Sequence, residues 1–354
     1  MTLSRLPQLD GLRAVAVTFV MAFHFVPWID RVAPLGSIGV RLFFVLSGFL
    51  ITRILLASRS STGVARSGHT TAAALRSFYV RRSLRIFPLF YLVLALAAVI
   101  NIGPVRSTFG WHATYLTNIY LFDRGSWHGS ISHLWSLAVE EQFYLVWPWL
   151  VLLLPERRLP VTIAVMICVA PISRLLIGGP MNSVLPLSCV DSLGAGALLA
   201  LPQTALQMRS IGLLFGVPLL AGSLALRSAG YLSVPFEVAL DLGVSLTAAW
   251  IVGRAARGFG GRIGAFLTAR PVVYLGTISY GLYLFHGFMP YVLGRYVPGF
   301  VEMSWAIRAV LLVMATLAAA SCSWKLFEAP FLRLKDRWSD TQQEPMPQLR
   351  VNAA

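Results

Sequence analysis

The sequence predicts an all-α integral membrane protein, a bundle of about ten transmembrane helices with both termini in the cytoplasm. Three observations support this class. Of the 354 residues, 57% are hydrophobic and only 12% are charged, whereas soluble domains carry about 25% charged residues. Apolar runs long enough to cross ~30 Å of hydrocarbon recur along the whole chain. Basic residues collect in every second loop between these runs. Lipid is therefore the expected solvent for much of the surface.

The apolar runs place the helices. We predict them at 12–28, 38–57, 84–102, 134–154, 161–178, 188–201, 211–228, 234–253, 272–293 and 305–327. The first run is expected to be retained, because no small-residue cleavage site follows it. The stretch 111–122 is apolar but too short to span, which favours an interfacial or re-entrant segment.

The basic residues orient the bundle, since cytoplasmic loops of membrane proteins are enriched in Lys and Arg. The loops assigned to the cytoplasm carry Arg59, Arg66, Arg76, Arg81 and Arg82, then Arg254, Arg257, Arg262 and Arg270, then Lys325, Arg333, Lys335 and Arg337. The intervening loops are poor in basic residues, with Arg31, Arg106, Arg124, Arg227 and Arg295. We expect one transmembrane domain over 1–338 and a disordered cytoplasmic tail over 339–354.

The net charge of +15 suggests nucleic acid at first sight. The arginines, however, lie between apolar runs and not on one polar face, so we expect no nucleic-acid partner. The three cysteines, Cys168, Cys189 and Cys322, match no metal-binding spacing. The sequence therefore predicts no metal site and no tightly bound cofactor.

Ionisable residues inside membrane helices are costly and are functional candidates by default. Four fall at depths in the outer half of the bilayer, where all could face one cavity: His24, Glu140, Glu141 and His286. An imidazole with a carboxylate is the pairing needed to deprotonate a hydroxyl. Two structural readings stay open: a histidine that only hydrogen-bonds a neighbouring helix, and glutamates that only pair with an arginine in the bundle.

A basic cluster is predicted on the cytoplasmic side. It comprises Arg13, Arg81, Arg82 and Arg85. Arg82 and Arg85 are three residues apart and so share a helix face. Guanidinium groups suit phosphates, but positive-inside topology alone would also put arginines here, and spacing does not decide between the two. Asp10, just before the first run, is expected to cap the first helix.

Six segments in order resemble the acyltransferase-3 family of integral membrane O-acyltransferases. LDGLRAVAVTFVMAFHF holds an Arg-ten-residues-His pattern, and GVRLFFVLSGFLIT, FYVRRSLRIFPLFY, SHLWSLAVEEQFYLVWP, ISYGLYLFH and FEAPFLRL follow. The resemblance implies that His24 is catalytic and assisted by Glu140, with Glu141, His286 and Ser136 as supporting or acceptor-positioning groups. It assigns binding of the acyl-CoA donor to Arg13, Arg82 and Arg85.

The resemblance also implies a reaction. Acyl-CoA, most simply acetyl-CoA, would enter from the cytoplasm, and a carbohydrate acceptor, free or lipid-linked, would be presented on the outer side of a bacterial inner membrane. The span from Arg13 to His24, ~16 Å along a helix, is one that the pantetheine arm of coenzyme A can bridge. Some relatives carry an additional esterase-like domain, which we do not expect here because the chain ends soon after its last helix.

Two departures from the family pattern bear on the site. Arg41 stands where many relatives have an acid, and Cys189 stands where an arginine often precedes the aspartate, here Asp191. A charge pair at Asp191 is therefore not expected. The identity of the acceptor also stays open: a surface polysaccharide and a small secondary metabolite such as a macrolide sugar are both compatible with these motifs. A transporter without chemistry is the remaining alternative for a bundle with buried charges.

Overall fold

The computed structural model describes residues 6–61, 68–179, 181–231 and 233–333. Within these ranges the chain forms helices and turns, with no strand. The α-helices are α1 (Pro7–Phe25), α2 (Ile29–Val32), α3 (Leu35–Ser61), α4 (Gly68–Val99), α5 (Phe109–Ala113), α6 (Thr117–Arg124), α7 (Leu134–Leu153), α8 (Leu159–Ile177), α9 (Val190–Ala200), α10 (Ala205–Ile211), α11 (Val217–Ser228), α12 (Val234–Arg257), α13 (Gly261–Thr268), α14 (Arg270–Thr277), α15 (Ser279–His286), α16 (Met289–Tyr296) and α17 (Trp305–Ser323). The predicted tail over 339–354 lies outside the described residues.

Six helical segments in the described ranges are long and apolar enough to cross a membrane. They are Leu35–Arg59, Thr71–Val99, Glu156–Ile177, Ala205–Ser228, Val234–Arg257 and Trp305–Arg333. They overlap the second, third, fifth, seventh, eighth and tenth predicted runs. The all-helical membrane class is confirmed, whereas the count of ten and the orientation of the termini stay predictions.

The other four predicted runs contain polar residues or breaks. The first and fourth are α1 and α7, of 19 and 20 residues, whose candidate site residues lower their hydropathy. The sixth is α9, with only 11 residues. For the ninth run, the prediction of one helix over 272–293 is wrong, because this range divides into α14, α15 and α16. Pro290 in the first turn of α16 has no N–H to donate back to α15, so a continuous helix is broken there.

The described bundle has an inner and an outer layer. The spans that contain α3 and α12 are 61% and 67% buried, whereas those of α8, α11 and α17 are only 17–22% buried. The outer helices present large apolar side chains such as Leu176, Leu214 and Met314 to their surroundings. Apolar residues facing outward are the arrangement expected where lipid is the solvent, because there is no water to exclude.

Glycines bring the inner helices into backbone contact. A Cβ on Gly48 of α3 would lie 2.0 Å from the Leu193 carbonyl oxygen of α9, and one on Gly196 of α9 would lie 2.1 Å from the Val45 oxygen of α3. Small residues at such crossings let membrane helices pack closely. The contact buries α9 almost completely beside α3.

The start of α1 differs from the prediction. The helix begins at Pro7. Proline lacks a backbone N–H, and the first turn tolerates this because an N–H at that position would have no partner within the helix. Asp10 is therefore inside the helix and is not its N-cap. Its carboxylate lies 3.3 Å from Arg13 on the same helix, and its backbone passes so close to α14 that a Cβ on Gly276 would lie 1.8 Å from the Asp10 oxygen.

The α3–α9 contact gives a stability prediction. We expect Gly196→Ala to lower the temperature of unfolding in detergent, because the added methyl group collides with the backbone of α3. Gly222→Ala in α11, where a Cβ meets nothing within 4 Å, should leave it unchanged or raise it slightly, since Ala favours a helix by about 0.5–1 kcal/mol over Gly. Equal unfolding temperatures for the two variants would contradict the close crossing.

Candidate active site

Two cavities lie side by side in the bundle. The first, about 510 Å³, is named here the arginine cavity because Arg13, Arg53, Arg82 and Arg85 line it. The second, about 860 Å³, is named the histidine cavity because it exposes His24 and His133. Val40 and Phe44, one turn apart on α3, line both cavities. The α3 helix therefore supplies a wall that the two cavities share.

The arginine cavity brings together the three arginines that the sequence proposed for the donor. Arg13 comes from α1, and Arg82 and Arg85 come from one face of α4. Arg53 of α3, which sequence reasoning missed, joins them, whereas Arg81 points away and is exposed. The Arg82 guanidinium lies 3.9 Å from the centre of the Tyr144 ring, a cation–π contact. Its buried Nε has no hydrogen-bond partner among the described residues.

The two glutamates lie in the arginine cavity and not beside His24. The hydroxyl groups of Ser47 and Tyr144, which are hydrogen-bonded to each other, and the Arg82 guanidinium lie near Glu140. His24 lines the other cavity, so residues that could have shared one cavity are divided between two. Position along a helix carries no information about which neighbouring helix a face meets.

Ser136 also lines the arginine cavity, one turn before Glu140. Its hydroxyl is 2.5 Å from the hydroxyl of Tyr283 on α15, and the Tyr283 hydroxyl donates to the His133 carbonyl oxygen at 3.0 Å. Because these bonds join the start of α7 to α15, Ser136 holds the two helices in register beside the cavity.

Three histidines from distant parts of the chain meet at the histidine cavity. The ring centres of His24 and His286 are 4.8 Å apart, and those of His286 and His133 are 4.9 Å apart. His286 is fully buried, His133 is 4% exposed, and His24 faces the cavity. Sequence reasoning missed His133, although it lies in the same SHLWSLAVEE segment that was used to select Glu140.

Backbone carbonyls fix the tautomer of the neutral His24 ring. Its Nδ1 lies 2.8 Å from the Val20 carbonyl oxygen. A carbonyl can only accept, so Nδ1 carries the proton and Nε2 keeps a free lone pair. His286 is held in the same way, with Nδ1 2.5 Å from the Tyr283 oxygen, and its buried Nε2 has no hydrogen-bond partner in the described chain. His24 thus presents an imidazole in the form suited to accept a proton.

The approach of His133 to this cluster requires a glycine. A Cβ on Gly287, directly after His286, would lie 2.1 Å from His133 Nδ1. The His133 Nε2 donates to the Leu284 carbonyl oxygen at 3.1 Å. Gly287 and the end of α15 therefore set the position of His133 beside His286.

A buried charge network forms one wall of the histidine cavity. Arg174 of α8 donates to Asp191 of α9 at 2.7 Å, and Arg41 of α3 lies 3.4 Å from the same carboxylate. Arg41 Nε also donates to Asp241 of α12 at 2.9 Å. The expectation that Asp191 lacks a charge partner is wrong. Its partners come from two other helices, so Cys189 two residues earlier did not decide the matter.

The rest of this cavity combines aromatic and charged side chains. Phe23, Phe44, Trp127 and Trp135 contribute aromatic rings to its wall. At its rim, Arg227 lies 3.0 Å from Asp30 and 3.6 Å from Glu237. Rings that offer flat apolar faces, with charged and polar groups between them, fit a ligand that has both C–H faces and hydroxyl groups. Among the described residues, no group of His, Cys, Asp or Glu has the arrangement of a metal site.

The profile of the acyltransferase domain family matches residues 6–324. The chain belongs to this acyltransferase family. The match covers the helices that form both cavities, and the resemblance seen in the sequence motifs is thereby confirmed. No solved structure shows significant similarity to the chain.

Curated relatives share the same region. The putative peptidoglycan O-acetyltransferase YrhL of Bacillus subtilis is 30% identical over 92% of this chain and 54% of its own length. The peptidoglycan O-acetyltransferase OatA of Listeria monocytogenes is 34% identical over 40% of this chain and 23% of its own length. A putative O-acetyltransferase of Staphylococcus aureus is 34% identical over 40% of this chain and 24% of its own length. The chain thus matches about half, or less, of each relative.

The charge network generates a second stability prediction. We expect Asp191→Ala to destabilise the protein by about 3–5 kcal/mol, because Arg41 and Arg174 are left as buried positive charges with one fewer carboxylate. Asp30→Ala removes the carboxylate of a half-exposed pair with Arg227 and should cost less than about 1 kcal/mol. The measurement is thermal unfolding of purified protein in detergent. Similar losses in the two variants would mean that the network is not essential for stability.

Proposed function

We propose that this chain is a membrane O-acyltransferase, specifically an O-acetyltransferase, of the bacterial inner membrane. It would move an acyl group from cytoplasmic acyl-CoA, most simply acetyl-CoA, to a hydroxyl of a cell-surface or exported sugar. The observation that carries the proposal is the pair of adjoining cavities: one holds guanidinium groups and the other holds an accessible imidazole. Family membership supports the reaction class, and the relatives named as peptidoglycan O-acetyltransferases support a surface glycan as the acceptor.

The arginine cavity suits the donor. Coenzyme A is strongly anionic, and planar guanidinium groups form paired hydrogen bonds with phosphate oxygens. Arg13, Arg53, Arg82 and Arg85 converge there from three helices, and the buried Arg82 Nε still has a proton to donate. We place this cavity toward the cytoplasm, where acyl-CoA is made, which agrees with the positive-inside distribution of arginines.

The histidine cavity suits the acceptor. Its volume of about 860 Å³ is in the range of small-molecule sites, large enough for a sugar unit. Aromatic faces can stack on the C–H face of a sugar ring, and Asp30, Glu237 and Asp241 offer oxygens that accept hydrogen bonds from hydroxyl groups. The acceptor, free or lipid-linked, would enter from the outer side.

His24 is the proposed catalytic residue. Its Nε2 lone pair would take the proton of the acceptor hydroxyl while the oxygen attacks the thioester carbon, and the C–S bond would then break to release coenzyme A as the thiolate, which takes up a proton. Alternatively, Nε2 would attack the thioester carbon, the C–S bond would break to release the thiolate, and the acyl group would then pass from Nε2 to the acceptor oxygen while the hydroxyl proton goes to the thiolate. His286 and His133 position the ring in either route. Glu140 and Glu141 then act in the donor cavity, where they neutralise part of the arginine charge.

Replacement of His24 tests the reaction and its catalytic residue. We expect His24→Ala to lose at least about 100-fold of the transfer rate, because general-base catalysis typically contributes 10²–10⁴-fold. The measurement is transfer of labelled acetyl from acetyl-CoA to glycan in membrane vesicles that contain native acceptors. His128→Ala, which removes a histidine that lines neither cavity, should retain activity. A near-normal rate in His24→Ala would refute the assignment. Wild-type protein that consumes no acetyl-CoA in the presence of native acceptors would point to another acyl donor, a missing partner or a transporter.

Neighbouring arginines of α4 test the donor site. We expect Arg82→Gln to raise the KM for acetyl-CoA by about tenfold or more, since a hydrogen bond to a charged group contributes about 1.5–3 kcal/mol. Arg81→Gln, one residue away but exposed and outside the cavity, should leave the KM unchanged. Steady-state rates at varied acetyl-CoA give both values. Equal KM values in the two variants would place the donor elsewhere.

A further inference from the structure

Two side chains of α3 border both cavities. Val40 and Phe44 are four residues apart and so lie on one face of the helix. Each lines both the arginine and the histidine cavity. Phe44 is only 1% exposed and Val40 only 8%, so both are closely packed where the two cavities adjoin.

Transfer requires one donor molecule to reach into both cavities. Its phosphates belong with Arg13 and its neighbours, whereas the thioester carbon must come within reach of His24. These residues are eleven positions apart on α1, which is ~16 Å along a helix. The acyl end of the pantetheine arm must therefore pass α3 at Val40 and Phe44.

Contacts hold the Phe44 ring at this position. It packs edge-on against Trp135 of the histidine cavity, with ring centres 6.0 Å apart and planes at 83°. Trp135 lies at the start of α7, between His133 and Ser136, so the ring is held by the same segment that carries groups of both cavities. An aromatic ring held by such an edge-on contact lets a thin chain pass and blocks a wide one. Moving a well-packed side chain aside to make more room costs energy.

We propose that Phe44, with Val40, forms a constriction between the cavities that limits the size of the acyl group the enzyme transfers. The proposal rests on the function proposed above, since it concerns the path of the same donor. It makes Phe44 a specificity-determining residue: an acyl group no wider than the pantetheine arm, such as acetyl, passes the constriction, and a branched or aromatic acyl group does not.

Selectivity for the width of the acyl group is the first test. For wild type and Phe44→Ala, kcat/KM is measured with acetyl-, isobutyryl- and benzoyl-CoA. We expect Phe44→Ala to raise the ratio of benzoyl to acetyl transfer at least tenfold. Phe90→Ala is the matched control, because Phe90 is also 1% exposed but lines neither cavity, and its ratio should equal that of wild type. A ratio that stays at the wild-type value in an active Phe44→Ala would overturn the proposal.

A narrowing substitution tests the same passage from the other direction. Val40→Phe should reduce isobutyryl transfer at least tenfold more than acetyl transfer, because the branched group is the wider of the two. A merely structural role would instead lower transfer of every donor by the same factor. Equal factors for the two donors would count against the constriction.

Thiol labelling tests the constriction without any acyl transfer. Cys168, Cys189 and Cys322 are replaced by Ala, and Ser183→Cys places a reporter in the histidine cavity. A membrane-impermeant maleimide is added to one side of proteoliposomes. That side is identified with an Arg81→Cys variant, as the side from which the maleimide labels position 81. We expect at least tenfold faster labelling at position 183 when Phe44→Ala is added. Unchanged labelling would overturn the constriction, whereas faster labelling in a protein that transfers no acyl group would refute only the proposed function.

Discussion

The buried charge network around Arg41 is the constraint on which the rest of the structure depends. A charge inside a membrane bundle is tolerated only when it is paired and hydrogen-bonded. Two arginines and two aspartates from α3, α8, α9 and α12 meet this requirement together. The hydroxyl oxygens of Ser192 and Ser245 accept further hydrogen bonds from Arg41. Because each charge needs partners on other helices, the network fixes the position of α3 in the bundle.

The fixed position of α3 makes the two-cavity arrangement possible. Glycines on α3 and α9 bring those helices into backbone contact, and α1 makes a similar contact with α14. The α1 helix carries Arg13 near one end and His24 near the other, so a single helix sets the distance between the proposed donor site and the proposed base. In the proposed reaction, binding energy from the donor phosphates, far from the reacting carbon, would orient the thioester at His24.

The histidine cluster shows how backbone geometry prepares a side chain for chemistry. Carbonyl oxygens of Val20 and Tyr283 hold the Nδ1 protons of His24 and His286, so no carboxylate is needed to select the tautomer. The carboxylates of Glu140 and Glu141, which the sequence associated with His24, lie instead among the guanidinium groups of the arginine cavity. In the proposed reaction, this division of charged groups would separate the binding of an anionic donor from the proton transfer.

The sequence by itself determined the class of protein, six of its membrane-crossing helices, the family and the shared face of Arg82 and Arg85. These properties are local, since hydropathy and helical spacing depend only on neighbouring residues. Only the tertiary structure decided that Asp191 pairs with Arg41 and Arg174, that Glu140 lies apart from His24, and that His133 joins His286. Each of these depends on which face of a helix meets which partner on another helix, at separations such as 17 residues for Arg174 and Asp191 and 150 residues for Arg41 and Asp191. The periodicity of the sequence does not predict which helix faces meet, because the packing of all the helices together determines those contacts.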